Sequence, residues 1–271
     1  MASVMFRDAD WIIVRQIAEA EGVAVIPLGS LEQHGPHLPC GTDTHQINEV
    51  VRRAFARLPA EAQVCGCPTV EYNVVQWASP MASAGLAPLN LEQSLVDVCH
   101  ALTDLGFKKI LLVHGHGGVP CGRSALWQAM HEKRPALYVD FMPIERCEEQ
   151  IRQICGEPTG HGGCAETSMM LAIRPDLVDM SQAIKGPEDL YGEDFPYPAL
   201  IGPSCYAIPP VSTTRQGIYG DATGGSAELG NRVLEVVADE LAGVIEEMAA
   251  TPVPPEWRTI GRVPLPEIQD S

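Results

Sequence analysis

The sequence predicts an α/β fold in which a mostly parallel β-sheet is covered by helices on both faces. Residues 23–28 (VAVIPL) and 109–113 (KILLV) are almost entirely apolar, as in strands that are buried on both faces. Segments with the apolar spacing of amphipathic helices alternate with such runs along the chain. Because strands that alternate with helices usually pair in parallel, we expect a sheet with helices on each side.

The predicted elements follow one another in this alternating order. The strands are predicted from short apolar runs at 23–28, 64–70, 109–113 and 136–141. The helices are predicted from apolar residues three or four apart at 8–20, 43–58, 91–105, in a segment ending at His131, at 166–173 and at 226–248. Thr42 is a candidate N-cap of the second helix, and Gly106 is a candidate C-cap of the third.

The chain shows no internal boundary that would divide it into two domains. We expect one domain over residues 1–250, followed by a proline-rich tail over residues 251–271. Proline and glycine are dense between residues 185 and 225, which indicates an irregular excursion from the domain.

The composition disfavours several classes of protein. The chain has 35 acidic and 18 basic residues, a formal charge of −17, which disfavours binding to nucleic acid or to an anionic membrane surface. No apolar run is long enough for a membrane span, and residues 1–10 lack the pattern of a signal peptide. The nine cysteines are scattered without a C-x-x-C pair, which is typical of a protein from the reducing cytoplasm.

A first polar cluster, GSLEQHGPHLPCGTD, follows the predicted strand at 23–28. It contains Glu32, His34, His37 and Asp43, and such carboxylate and imidazole groups are the ligands expected for Zn²⁺, Mn²⁺ or Fe²⁺ in a hydrolytic site. Asp43 alone could bridge two ions. The alternative is that Asp43 caps a helix and that the histidines are surface residues of a loop.

A second polar cluster, HGHGG, follows the predicted strand at 109–113. His114 and His116 are two residues apart and are expected to project alike, while Gly117 and Gly118 allow a ligand to approach the backbone. The lysine of a Walker loop is absent, and the glycine spacing does not match a dinucleotide-binding turn. The alternative is a tight turn that carries two incidental histidines.

A third polar cluster, GHGGCAETS, spans residues 160–168 at the start of a predicted helix. His161 could move a proton between water, substrate and leaving group if it lies near a metal. Glu166 could bind the metal or orient one of its ligands. The alternative is that Glu166 only stabilises the N-terminus of the helix.

These three clusters, in this order and spacing, closely resemble the creatininase family. The resemblance runs from about residue 12 to residue 177 and on toward the last predicted helix. It implies a three-layer α/β/α sandwich, a hydrolase centre with one or two divalent metal ions, and a homo-oligomer, with a hexamer favoured. By motif, it implies the following metal ligands: Glu32, His34, Asp43 as a bridge, His116 and Glu166. His161 matches the proton-transfer histidine of the family, and Glu166 is a second catalytic candidate.

The chain also departs from the family pattern. The family turn reads Asn-Gly-His-Gly-Gly-Asn, whereas this chain has His114 and Val119 at the two asparagine positions. Creatininase itself has a metal-binding glutamate where this chain has Gly118. Residues 79–89 replace the family segment His-x-x-Phe-Pro-Gly-Thr, which shapes the substrate pocket, so creatinine is not the expected substrate.

We therefore expect metal-assisted hydrolysis of a C–N bond in a small cyclic amide, an N-formyl amide or another linear amide. The expected substrate-binding residues are His37, His114, Gly117, Gly118 and Trp77. One alternative is hydrolytic C–C ring opening of a cyclic polyol ketone, with a polar pocket in which Tyr72, Asn73, Gln76 and Trp77 take part. The other is a non-catalytic binding protein that keeps the fold.

Overall fold

The chain folds around a parallel sheet of five strands. The computed structural model describes residues 3–75, 82–117, 121–132, 136–187 and 216–255. The strands of this part are β1 (Ser3–Met5), β2 (Val23–Leu28), β3 (Val64–Gly66), β4 (Lys109–His114) and β5 (Leu137–Phe141). They lie in the order β1-β3-β2-β4-β5, and every neighbouring pair is parallel. The predicted α/β class is therefore confirmed.

Helices cover both faces of the sheet. They are α1 (Trp11–Glu19), α2 (Thr42–Phe55), α3 (Pro88–Leu105), α4 (Cys121–His131), α5 (Pro143–Arg146), α6 (Glu148–Cys155), α7 (Cys164–Ile173) and α8 (Ala227–Ala250). Alternate residues of the central strands point to opposite faces, with Val23 and Leu111 packed in the core beneath α2, α7 and α8. Ala24 and Ile110 pack in the core beneath α1, α3 and α4. The fold thus has three layers, as expected.

The residues that cap two of the helices can be compared with the predicted ones. The prediction that Thr42 is an N-cap is wrong, because α2 begins at Thr42 with Gly41 as its N-cap residue. The Thr42 hydroxyl instead donates to the carbonyl of Pro39 at 2.8 Å. The predicted C-cap at Gly106 is confirmed, with a φ of 110° that favours glycine.

Short elements account for most of the other differences. The strand predicted at 64–70 ends at Gly66, and Val70 makes only an isolated bridge to Leu28. Three further elements, β1, α5 and α6, were not predicted, and they are three, four and eight residues long. The predicted excursion at 185–225 and the tail at 251–271 lie largely outside the described residues.

The sheet register brings the first two polar clusters together. Leu28, the last residue of β2, is paired with His114, the last residue of β4. The chain segments that follow these strands therefore leave the sheet side by side, at the edge where α/β proteins usually bind ligands. No described helix has the length and apolar character needed to cross a membrane.

Candidate metal centre

The candidate ligands meet at the carboxyl ends of β2 and β4, against the first turns of α2 and α7. Glu32, His34, Asp43 and His116 are each at most 5% exposed, although all four are polar. Glu166 lies in the first turn of α7 and reaches the same place from the opposite side. So many buried polar groups are stable together only if their charges balance one another or are balanced by a bound ion.

A first group of potential ligands consists of Glu32, Asp43 and His116. His116 Nδ1 lies 3.0 Å from Glu32 Oε2 and 3.0 Å from Asp43 Oδ2. These three residues come from the segment after β2, the start of α2 and the turn after β4. One carboxylate pair and one imidazole thus face a common point.

A second group consists of His34, Asp43 and Glu166. His34 Nε2 lies 3.0 Å from Asp43 Oδ1 and 3.6 Å from Glu166 Oε2. Asp43 belongs to both groups and turns a different oxygen toward each. This is the arrangement that a carboxylate needs in order to bridge two ions.

The imidazoles of both groups are oriented by backbone carbonyl groups. His34 Nδ1 lies 2.9 Å from the carbonyl oxygen of Glu32, and His116 Nε2 lies 3.0 Å from that of Val74. Because a carbonyl oxygen only accepts hydrogen bonds, each of these nitrogens carries a hydrogen. The other nitrogen of each ring therefore faces the carboxylates, which is how histidines are held for metal binding.

The electrostatics of the cluster favour positive charge at both imidazoles. Burial opposes charge on His34, but the Asp43 and Glu166 carboxylates outweigh burial and raise the pKa of His34 to about 10. Burial also opposes charge on His116, whereas Asp43 and Glu32 raise its pKa well above the usual range. Protons on these two rings thus balance carboxylates that a divalent cation could neutralise in their place.

Glu32 provides an independent reason to expect a cation. Its Oε1 has no hydrogen-bond partner among the described residues, and its Oε2 must share the hydrogen of His116 Nδ1, which lies 3.0 Å from both Glu32 Oε2 and Asp43 Oδ2. A buried carboxylate with so few donors is energetically costly, and a cation beside it would remove that cost. The donor set of carboxylates and imidazoles fits Zn²⁺, Mn²⁺ or Fe²⁺.

Glu166 has two contacts that support different roles. Its Oε2 accepts a hydrogen bond from the backbone N–H of Gly162 at 2.6 Å, as expected if it stabilises the start of α7. The same oxygen faces His34 at 3.6 Å. Burial, only partly offset by His34, raises the pKa of Glu166 to about 7. A carboxyl group held in this state can become ionised when a cation arrives.

His161 lies beside the ligand groups, and its ring is held in one tautomer. Its ring centroid is 4.2 Å from that of His34, and its backbone exchanges two hydrogen bonds with Tyr219. His161 Nε2 lies 2.6 Å from the carbonyl oxygen of Gln33, so this nitrogen carries the hydrogen, and its longer contact of 3.2 Å with Gln33 Nε2, which is also a donor, is not a hydrogen bond. Burial and the nearby His34 hold the pKa of His161 well below its usual range. The ring is therefore neutral, with its proton at Nε2.

His114, the last residue of β4, and His116, in the turn after it, do not project alike, contrary to the prediction. His114 Nε2 lies 2.5 Å from Asp140 Oδ1 of β5, whereas His116 faces the ligand groups. The chain turns between them at Gly115, where a Cβ would lie 2.7 Å from the Cβ of Ile47. The alternation expected of an extended segment is lost at this turn.

The other predicted substrate-binding residues fall in different places. His37 is buried, with Nε2 2.8 Å from the hydroxyl of Thr167, and burial together with His34 lowers its pKa to about 4. A Cβ at Gly117 would meet no atom of the described residues within 4 Å. Gly118 and Trp77 lie outside the described residues.

Three residues at the site were missed by the reasoning from sequence. Ser30 donates from its hydroxyl to Asp43 Oδ2 at 2.6 Å, and Gln33 contacts His161 through its carbonyl oxygen. Both lie inside the first polar cluster, but their residue types gave no signal of metal chemistry. Asp140 could have been noticed, because it is an acidic residue within an otherwise apolar strand.

Comparison with known proteins finds a family model and several relatives that match most of this chain. The family model for creatininase, creatinine amidohydrolase, matches residues 7–245. Creatinine amidohydrolase from Pseudomonas putida is 26% identical over 86% of this chain and 92% of that protein. Mycofactocin precursor peptide peptidase from Mycobacterium ulcerans is 28% identical over 84% and 86%. The 3-dehydro-scyllo-inosose hydrolase from Thermotoga maritima is 24% identical over 87% and 80%.

Solved structures agree with the fold. A mutant creatininase of the Zn-Zn type has a TM-score of 0.76 at 24% identity, covering 93% of this chain and all of that one. A manganese creatininase has a TM-score of 0.73 at 23% identity, covering 92% of this chain and all of that one. At this level of identity the likeness establishes the three-layer fold.

Proposed function

Since the chain belongs to the creatininase family, we propose that it is a metal-dependent hydrolase that cleaves a C–N bond in a small amide. The substrate class is a small cyclic amide, an N-formyl amide or another linear amide. Two of the similar proteins are named for reactions on amide or peptide bonds, which supports this choice over others.

The observation that carries the proposal is the division of Asp43 between two groups of ligands. One oxygen faces His34 and the other faces His116, each at 3.0 Å, and both imidazoles are oriented by backbone carbonyl groups. A purely structural ion pair does not need one carboxylate that is shared between two imidazoles, as Asp43 is. It also does not need the additional carboxylate of Glu32. The arrangement is therefore best explained as a place for one or two divalent cations.

The residues that would hold the cations are Glu32, His34, Asp43, His116 and Glu166. When bound, a divalent cation supplies the Lewis acidity that activates water and polarises a substrate carbonyl. Glu166 would serve in place of the glutamate that creatininase carries at the position of Gly118. Glu166 Oε2 lies 3.6 Å from His34 Nε2, and Glu166 belongs to the same ligand group as His34 and Asp43. This placement supports a role for Glu166 as the replacement ligand.

His161 would move the proton during hydrolysis. Its neutral ring lies next to His34 and is held by the Gln33 carbonyl and by the backbone of Tyr219, so it cannot rotate freely. A neutral imidazole at this position can accept a proton from water and pass one to the leaving nitrogen. No atom of the described residues lies within 4 Å of a Cβ placed at Gly117, which supports an approach of the substrate from the turn after β4. His37, His114, Gly118 and Trp77 remain the further substrate-binding candidates.

A second candidate function is C–C ring opening of a cyclic polyol ketone. The similarity to an inosose hydrolase favours it specifically. The same ligands and His161 would serve, because a cyclic ketone also presents a carbonyl group to attack. The distinction would then lie in the substrate pocket. Tyr72, which is exposed, is the described candidate, because the side-chain amide of Asn73 is already bonded to Gly29 and Val74.

We also propose that the chain forms a homo-oligomer, with a hexamer favoured by the family resemblance. Trp11 and Trp127 are 63% and 65% exposed, which is a large apolar surface for two tryptophans. Burial of these two side chains between subunits would explain why they are exposed in the single chain.

The test is to remove metal with a chelator, reload the protein with Zn²⁺ or Mn²⁺, and assay a panel of substrates. The panel contains lactams, N-formyl amides, short peptides and cyclic polyol ketones. We expect activity to disappear with the metal and to return on reloading, with turnover on one of the amide classes. His161→Asn should keep the metal and lose activity by about 10²–10⁴-fold. Full activity in the metal-free protein would contradict the proposal, and turnover of the ketones alone would select the second candidate.

A further inference from the structure

Ser30 is a buried hydroxyl at the centre that belongs to neither group of ligands. It is the second residue after β2 and is fully buried. Its Oγ donates to Asp43 Oδ2 at 2.6 Å, a distance typical of a hydroxyl bonded to a charged carboxylate. This bond connects the end of β2 directly to the residue that both ligand groups share.

The backbone at Ser30 is held in place from two sides. Thr44 Oγ1 in α2 donates to the carbonyl of Ser30 at 3.0 Å, and Asn73 Nδ2 donates to the carbonyl of Gly29 at 2.9 Å. The strand end and the helix start also touch closely, because a Cβ at Gly29 would lie 2.4 Å from Thr44 Oγ1. The hydroxyl of Ser30 therefore approaches Asp43 from a fixed direction.

This direction determines how the Asp43 carboxylate is turned. The terminal torsion of aspartate is broad, so its carboxylate can take many rotations unless a partner selects one. Oδ2 receives hydrogen bonds from Ser30 and His116, and Oδ1 is left to face His34. With this rotation one oxygen belongs to each ligand group.

We propose that Ser30 is a positioning residue that keeps Asp43 in the bridging rotation. This inference rests on the proposed function, because it concerns the same candidate centre. Ser30 itself does not bind the cation or the substrate. Its hydroxyl uses its hydrogen for Asp43, so the loss of that hydrogen would free the carboxylate to turn both oxygens toward one group.

The test measures metal binding rather than activity. Metal-free full-length protein is titrated with Zn²⁺ by calorimetry, as wild type, Ser30→Ala, Ser30→Thr and Ser168→Ala. We expect Ser30→Ala to weaken the binding of at least one ion by about 10–100-fold, as is typical when a partner of a metal ligand is removed. Ser30→Thr keeps the hydroxyl and should restore most of the affinity.

Ser168→Ala is the matched control, because Ser168 is equally buried and its Oγ accepts a hydrogen bond from the backbone N–H of Ser226 and contacts Cys164 Sγ. It should leave zinc affinity unchanged.

A second measurement uses paramagnetic resonance of protein loaded with Mn²⁺. The wild type should show the spectrum of a coupled ion pair, and Ser30→Ala should lose that coupling. If Ser30→Ala does not fold, Ser30→Gly replaces it, since it also removes the hydroxyl and adds no group that binds zinc.

Equal affinity and equal coupling in wild type and the Ser30 variant would overturn the inference. An equal loss in Ser168→Ala would also overturn it, because the effect would then belong to any buried hydroxyl. A wild-type protein that binds no zinc would instead contradict the proposed function itself, so the two failures are distinguishable.

Discussion

Two histidines only two residues apart, His114 at the end of β4 and His116 in the turn after it, occupy different buried environments. His116 Nδ1 faces two carboxylates, Glu32 and Asp43, and its opposite nitrogen is fixed by the carbonyl of Val74. His114 Nε2 faces a single carboxylate, that of Asp140, at 2.5 Å. We call the first environment the ligand cluster and the second the His114–Asp140 pair.

The difference lies in the balance of charge. In the His114–Asp140 pair one imidazole meets one carboxylate, and Arg123 Nε lies 3.8 Å from the other oxygen of Asp140. In the ligand cluster three carboxylates surround His34 and His116, the neutral ring of His161 lies beside them, and Glu32 Oε1 has no hydrogen-bond partner among the described residues. A buried histidine next to an acid is therefore no sign of a metal site by itself, whereas an excess of carboxylates over donors is.

The largest effect that this comparison predicts is the difference between Asp43→Asn and Asp140→Asn. Asp43→Asn should remove bound metal and lower activity about a thousandfold, because a catalytic cation contributes several kcal/mol to the transition state. Asp140→Asn should keep the metal and instead destabilise the fold by about 1–3 kcal/mol, through loss of a buried charged hydrogen bond.

Elemental analysis of both purified variants and their denaturant unfolding curves would check this prediction. The unmutated protein, treated identically, supplies the reference for metal content and stability. Loss of metal from Asp140→Asn at normal stability would break the comparison, since it would place the His114–Asp140 pair in the metal centre as well.

A smaller effect is predicted for the pH dependence of stability without metal. His34 has an ordinary pKa of 6.5 and a pKa of about 10 in the folded, cation-free protein. Its stabilising effect is fully present below pH 6.5 and is lost as the pH rises through 10. A bound metal replaces the proton, so metal-loaded protein lacks this loss.

Thermal unfolding of metal-free and metal-loaded protein, measured between pH 7 and pH 9.5, would check this effect. The gap in Tm should widen by roughly 5 °C as the pH rises. Metal-free His34→Gln should lose less stability than the metal-free wild type over this pH range, because it removes one of the two titrating imidazoles and leaves His116. A gap that narrows with pH would mean that the carboxylates do not hold a proton at His34.

Much of the fold could be predicted because its central elements are long or fully buried. β2 and β4 are buried along their whole length, and α8 has 24 residues with a capping serine at Ser226. β1 and α5 have three and four residues, too few for any periodicity to appear. They form because neighbouring elements stabilise them, which sequence pattern alone does not report.

The candidate site was predictable to the extent that its residues carry metal chemistry. Glu32, His34, Asp43 and His116 could be named from residue type and position, and the structure brings them within reach of one another. The separate direction of His114 could not be predicted, because it depends on a turn at Gly115 and on a partner from β5. Ser30 could not be predicted either, because a serine acts here only through its distance from Asp43.

Anomalous diffraction from a crystal grown with Zn²⁺ tests the central claim most directly. We predict a peak at Asp43, shared with Glu32 and His116, and a second peak shared with His34 and Glu166 if both ions are bound. The His114–Asp140 pair should show none. A crystal with no anomalous signal at Asp43, or with its zinc only at Asp140, would contradict the account.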